Sequence, residues 1–327
     1  MRRTFKPALT RPEDFSAFWD STQAQLMRVD PCAQRQPQSI SEIPGVRLDI
    51  VSFISLGNVR ISGYWLHWTD ATSRPLVITS HGYGCQCQPR WDWARRGVNV
   101  FAVDIRGFGI SAGALPHPSR WGYVVTGIDT PETSVIRLAV CDYIQAGRVA
   151  RQLIANPATR TLFEGVSFAG GLALMSQAVS GMADVLAVGV PTFGWAEGRN
   201  LFVKTGSGAE ISRFLASRTD QVEDTMLVLR YFDTVNFADR IRCPTLLALG
   251  LEDDVVPAKT VYGIANHLTA PFELMEFPVS HSDGPEEAQW RQFEDCWLEL
   301  ICDGVPPGFG RSNPAAKSAP EHSNDVG

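Results

Sequence analysis

The chain uses two kinds of hydrophobic spacing, and the change between them divides it. Positions 46–54 and 59–68 alternate apolar and polar side chains on either side of Gly57-Asn58. A period of two marks half-buried strands, and a Gly-Asn pair tolerates the positive φ of a tight hairpin turn, so this stretch predicts two antiparallel strands. From residue 75 the pattern becomes short continuous apolar runs, at 76–79, 98–103, 161–163, 185–190, 245–249 and 272–277, separated by helical segments. Strands buried on both faces read in this way, and their alternation with helices predicts a parallel sheet with ligand-handling loops after its carboxyl ends.

Flanking this frame, residues 11–30 place Phe15, Phe18, Trp19 and Leu26 at helical intervals behind Pro12, Glu13 and Asp14. Proline and acids suit a helix N-terminus, so an N-terminal helix laying an aromatic face on the body is expected. Residues 31–44 read as an extended wrap. Between 192 and 225 the alternation lapses into Phe193-Gly194-Trp195, Thr205-Gly206-Ser207-Gly208 and a polar helical stretch, which predicts a small cap insertion over the site. The expectation is therefore a single α/β domain over 1–303, with 304–327, rich in Pro, Gly, Ser, Ala and Asn, as a disordered tail.

Composition changes this picture little: 44% hydrophobic and 20% charged is ordinary for a globular chain. Twenty-nine basic against thirty-five acidic side chains give a net charge of −6, which argues against a general nucleic-acid binder. No apolar run reaches the length of a membrane span, and the basic N-terminus lacks the apolar stretch of a signal peptide, so a cytoplasmic protein with no membrane partner is expected. Seven scattered cysteines do not form a disulfide framework, and Cys85-Gln86-Cys87 is too closely spaced for a zinc knuckle.

The candidate chemistry begins at Leu162-Phe163-Glu164-Gly165-Val166-Ser167-Phe168-Ala169-Gly170-Gly171, a short strand running into a tight turn and a small-residue helix start. Small residues two before and two after a serine let strand and helix pass closely while the hydroxyl stands exposed, which is the design of a nucleophile elbow. Three further stretches fall at strand ends. Ser80-His81-Gly82-Tyr83-Gly84 can supply one backbone N–H to an oxyanion and the residue after the serine a second, so Tyr83 and Phe168 are the predicted donors. Leu249 to Pro257 carries Glu252, Asp253 and Asp254, of which Asp253 has the better position to orient an imidazole. His281, in the loop after the last strand, is the predicted base; His267 lies on a predicted helix, His322 in the tail, and His81 and His67 precede the serine and read as structural. The order Ser, Asp, His is that of α/β-hydrolases.

Beyond the elbow, the chain is similar to carbohydrate esterase family seven, the acetylxylan esterases and cephalosporin-C deacetylases. The likeness runs through Arg11-Pro12-Glu13-Asp14-Phe15, His81-Gly82-Tyr83, Asp104 to Ser111, Gly127-Ile128-Asp129, Tyr231 to Phe237 and Gly250 to Pro257. It implies an α/β-hydrolase fold and hydrolysis of short acyl esters of small molecules, without metal or cofactor, in an enzyme that is commonly a homo-oligomer. Three departures stand out: Phe108 where the family has Gln, Phe168 and Ala169 after the serine, and Ser282 after His281. Phe108 and Phe168 predict an apolar contact between two loops in place of a polar one, with both rings near the acyl site, and Trp195 of the cap stretch is a further expected pocket residue. Arg106 and Asp104 read as a structural pair. Two other readings stay open: a non-catalytic binding or assembly protein, and a hydrolase for another acyl or peptide substrate.

Overall fold

The computed structural model describes residues 3–279 and 287–310. Helix α1 (Phe15–Met27) comes first, then β1 (Gln34–Pro37), β2 (Val46–Ser55), β3 (Val59–Trp68), β4 (Leu76–Thr79), α2 (Trp91–Arg95), β5 (Asn99–Asp104) and α3 (Val135–Leu153). There follow β6 (Thr161–Val166), α4 (Phe168–Ser180), β7 (Val185–Gly189), α5 (Ala196–Phe202), α6 (Gly206–Ser217), α7 (Val222–Arg230), β8 (Thr245–Gly250), α8 (Ala258–Ala265), β9 (Phe272–Phe277) and α9 (Glu287–Cys302).

The nine strands form one sheet in the order β1-β2-β3-β5-β4-β6-β7-β8-β9. β1, β2, β3 and β5 pair antiparallel, and every pairing from β5 through β4 to β9 is parallel. This is the α/β-hydrolase arrangement. The hairpin between β2 and β3 turns on Gly57 and Asn58, both at positive φ (86° and 57°), the backbone that the sequence pair favours. β1 was hidden by composition: Gln34, Arg35, Gln36 and Pro37 are all exposed, so no apolar face announces an edge strand.

Two hydrophobic layers sandwich the sheet. On one side α1, α3, α4 and α8 pack in one large cluster; on the other α2 and α9 enclose a smaller one centred on Trp93 and Trp297, whose rings meet at 4.7 Å. The aromatic face of α1 docks as its spacing predicts, with Phe15, Phe18 and Trp19 against Tyr231, Phe232 and Phe237. At the start of the stretch expected as a tail, residues 304–310 are described, and Phe309 is buried in the smaller cluster, one large apolar ring offsetting the Pro-Gly composition around it. Residues 311–327 lie outside the described part. Among the described residues no helix is long and apolar enough to cross a membrane.

Arg106 and Asp104 also correct the sequence reading, since they do not pair with each other. Buried Arg106 grips Asp142 of α3 through Nε (2.8 Å) and Nη2 (2.6 Å), whereas Asp104 accepts the N–H groups of Cys87 (2.6 Å) and Ile110 (2.8 Å). Both remain loop-holding groups, and the Arg106 partner, Asp142, lies too far along the chain to be seen in the sequence.

Candidate active site

Ser167 joins β6 to α4 with φ 60° and ψ −115°, a conformation that costs a non-glycine residue on the order of 1–3 kcal/mol. Its neighbours impose it. A Cβ on Gly165 would stand 2.4 Å from the Ala169 carbonyl carbon, and one on Gly170 would stand 2.9 Å from the Gly165 oxygen. The Ser167 N–H donates to Gly189 O at 2.8 Å, and its carbonyl accepts from Gly171 (3.0 Å) and Thr192 (3.1 Å). Strand and helix are thereby clamped around one serine that lines a cavity of about 530 Å³.

The loop after β4 supplies the next wall through Ser80, Gly82 and Tyr83. Buried His81 braces it: the Ile105 N–H donates to Nε2 (3.3 Å), which leaves Nδ1 to donate to Gly82 O (2.9 Å). Burial lowers the His81 pKa, consistent with a neutral structural imidazole. The Tyr83 hydroxyl donates to Glu210 Oε1 of α6 at 2.6 Å, and Glu210 Oε2 accepts from Val124 N at 3.2 Å. Burial and Glu210 together push the Tyr83 hydroxyl far above its usual range, so it stays a donor. One carboxylate thus ties the segment between β7 and β8 to the loop carrying a predicted oxyanion donor, and α6 begins with two wall residues, Gly206 and Ser207.

Asp253 lies after β8 and is buried, with Oδ1 accepting from Val255 N (2.8 Å) and Val256 N (2.7 Å). Its turn is laced to the end of β9: Leu251 N donates to Phe277 O (2.8 Å) and Glu252 N to Val279 O (3.2 Å). The chain therefore leaves β9 beside the acid. His281 and Ser282 follow directly and lie outside the described residues.

The three aromatic side chains expected near the substrate pack against other rings. Phe168 is fully buried, its ring within 6.2 Å of His81, Tyr83, Phe108, Tyr123 and Phe193. Phe108 stacks with His81 (4.8 Å) and Tyr123 (4.6 Å) in the same group. Trp195 packs edge-on to Phe5 at 4.7 Å, with Lys259 Nζ 4.4 Å from its ring. None of the three is among the described residues lining the cavity.

In their place the walls hold charge. Glu164, Arg90 and Glu294 line the same cavity as Ser167, and sequence reasoning missed all three. The one available signal was a glutamate inside the apolar run of β6. Among the described residues, no group of three or more His, Cys, Asp or Glu side chains could hold a metal.

A mostly parallel sheet with a serine strained at a strand-to-helix turn, and an acid after a later strand, defines an α/β-hydrolase. Within that class the chain belongs to the acetyl xylan esterase (AXE1) family, whose profile matches residues 2–294. Membership makes it a serine carboxylic-ester hydrolase. It is similar to the acetyl esterase Axe7A of Xylanibacter ruminicola, 24% identical over 317 residues that cover 90% of this chain and 68% of the relative. Among solved structures it resembles an acetyl xylan esterase from Paenibacillus sp. R4 (TM-score 0.80, 26% identity, covering 90% of this chain and 98% of that one). It also resembles acetyl xylan esterase 1 from Thermoanaerobacterium sp. JW/SL YS485 (TM-score 0.83, 22% identity, covering 91% and 97%), a likeness of fold.

Proposed function

We propose that the chain removes short acyl groups, acetyl first among them, from hydroxyls of small molecules of the acetylated-sugar kind, with Ser167 as nucleophile. The observation that carries this is the strained, clamped Ser167 opening on a cavity beside the loop of Gly82 and Tyr83. In the first half-reaction the Ser167 hydroxyl attacks the ester carbonyl as His281 takes its proton. The oxyanion receives the backbone N–H groups of Tyr83 and Phe168. The C–O bond to the alcohol then breaks, and His281 returns the proton to the departing oxygen. Water, deprotonated by the same imidazole, attacks the acyl-enzyme and frees the carboxylic acid. Asp253 holds the imidazole tautomer, a role favoured by its burial and by the turn that meets the end of β9. Because both oxyanion donors are backbone groups, the phenylalanine side chain at 168 leaves the hole intact.

Seven free thiols, three of them exposed, favour a reducing compartment, and on that ground we place the enzyme in the cytoplasm. The test of the activity is Ser167→Ala with an aryl acetate. Turnover is expected to fall at least ~10³-fold with the fold unchanged by circular dichroism, and a fluorophosphonate probe should label only the wild type. Activity kept in the variant would remove Ser167 from the mechanism.

A further inference from the structure

We infer that the cavity wall formed by Glu164, Arg90 and Glu294 is a subsite for a protonated amine carried by the ester substrate, an inference that rests on Ser167 being the nucleophile. Glu164 precedes Ser167 by three residues, is 4% exposed and lines the same cavity. Its strand neighbours Leu162 and Phe163 are wholly apolar and buried, so a carboxyl is out of keeping with the run it sits in. The Thr79 hydroxyl, also in the wall, donates to Oε2; among the described residues Oε1 receives no hydrogen bond.

Among the described residues, the charges around it leave a deficit of cation. Arg90 is already divided between Asp92 (3.0 and 2.6 Å) and Glu294 (2.9 Å), and its guanidinium lies 3.6 Å over the Trp93 ring. Among the described residues, the other titratable groups that sense the Glu164 charge are the Cys87 thiol and the Tyr143 hydroxyl. Burial pushes both well above their usual ranges, so both are neutral. With Glu164 ionised, three described carboxylates, those of Glu164, Glu294 and Asp92, share the one guanidinium of Arg90. An ammonium in the cavity would offer Oε1 a donor and the wall a positive charge, and the charge-assisted hydrogen bond so formed would offset the cost of desolvating the pair.

A linkage follows. Burial raises the Glu164 pKa to about 7, Thr79 and Arg90 opposing it and Glu294 adding to it. An empty or neutral-filled cavity keeps the carboxyl largely protonated below that pH, whereas a bound ammonium favours the ionised form. Ammonium binding should therefore tighten as pH rises through about 7.

The experiment compares charged with neutral esters in the intact protein at several pH values. Ethyl 3-aminopropanoate against ethyl butanoate places the charge on the acyl side; 2-(dimethylamino)ethyl acetate against 3-methylbutyl acetate places it on the alcohol. In one pair the ammonium ester should be preferred about tenfold in kcat/KM at pH about 7.5, with the preference shrinking towards pH about 6. Glu164→Gln, of the same shape and still able to accept from Thr79, should remove both the preference and its pH slope. A merely structural role would lower all four rates together and leave the ratios alone. Equal rates within both pairs in the wild type, or a ratio unchanged in Glu164→Gln, overturns the subsite. If the aryl acetate and all four esters are left unhydrolysed by the wild type, the nucleophile assignment falls, and the subsite with it.

Discussion

Two regions share the walls of one cavity and are built on opposite principles. The elbow from β6 to α4 is held by backbone: glycines at van der Waals contact with main chain, and a serine whose N–H and C=O are bonded to neighbouring strands and helix. The segment from α5 to α7 is held by side chains, among them Asp233, which accepts the N–H groups of Trp195 (2.8 Å) and Ala196 (2.7 Å) at the start of α5, and Glu210 on Tyr83. It also leaves Leu201 and Phe202 exposed, at 69% and 56%. Backbone packing admits few residue types and so leaves a pattern in the sequence. Side-chain packing admits many and leaves almost none.

The comparison breaks most decisively at Gly165. A valine there must place its Cβ into the main chain of Ala169 and Gly170, with contacts of 2.4 to 2.7 Å, and backbone cannot swing aside as a side chain can. We expect Gly165→Val to cost at least about 4 kcal/mol, read in chemical unfolding, or to abolish soluble expression. A variant of near-native stability would show that strand and helix are free to part, and the clamp on Ser167 would lose its basis.

What could be read from the chain divides along the same line. Eight of the strands, the hairpin turn and the elbow were legible, because the period of the pattern and the small residues at 165, 169 and 170 are demanded by geometry. Edge strand β1, exposed along its length, offered no period to detect. Around the cavity, the wall residues Ser167 and Tyr83 could be singled out from their places at strand ends, as could Asp253, the proposed partner of the imidazole. The wall residues Arg90 and Glu294 could not, nor could Glu210, which bonds Tyr83 from α6, since nothing in the local sequence marks their targets. Glu164 was the intermediate case, visible as an anomaly inside an apolar strand but with no partner to name.

The aromatic group behind the oxyanion loop gives the next effect. Chain logic alone suggested that Phe108 and Phe168 tune acyl selectivity, but Phe168 is fully enclosed by rings. Phe168→Gln is therefore expected to act on stability, lowering it by roughly 2–4 kcal/mol through lost ring packing and a buried amide. The relative rates on acetyl, butyryl and hexanoyl esters should stay the same. A shift in that chain-length profile without loss of stability would put the ring back at the substrate.

Glu210 should give a smaller change with a clear signature. Removing its carboxylate in Glu210→Ala frees the Tyr83 hydroxyl and Val124 N–H together, loosening the loop that offers the Tyr83 N–H to the oxyanion. The expectation is a fall of about tenfold in kcat with KM little altered, since the donor acts chiefly on the transition state. Glu210→Gln keeps an acceptor for Tyr83 and should restore most of the rate. Equal losses in the two variants would mean that the charge, and not the hydrogen bond, holds the loop.

The smallest effect belongs to the exposed side of the same segment. Leu201 lies on α5 with 69% of its surface open, so its side chain gains little from folding and loses little when replaced. Leu201→Gln should change unfolding stability by less than about 0.5 kcal/mol and leave hydrolysis of an aryl acetate unchanged, in contrast to any substitution at the elbow. The outcome depends on the side chain being as open in solution as it is in a single copy of the chain. If Leu201→Gln instead lowered the unfolding midpoint strongly, and did so together with a smaller particle size in light scattering, the exposed face of α5 would be one that copies of the chain bury between them. The contrast between the two regions would then be one of assembly rather than of local packing.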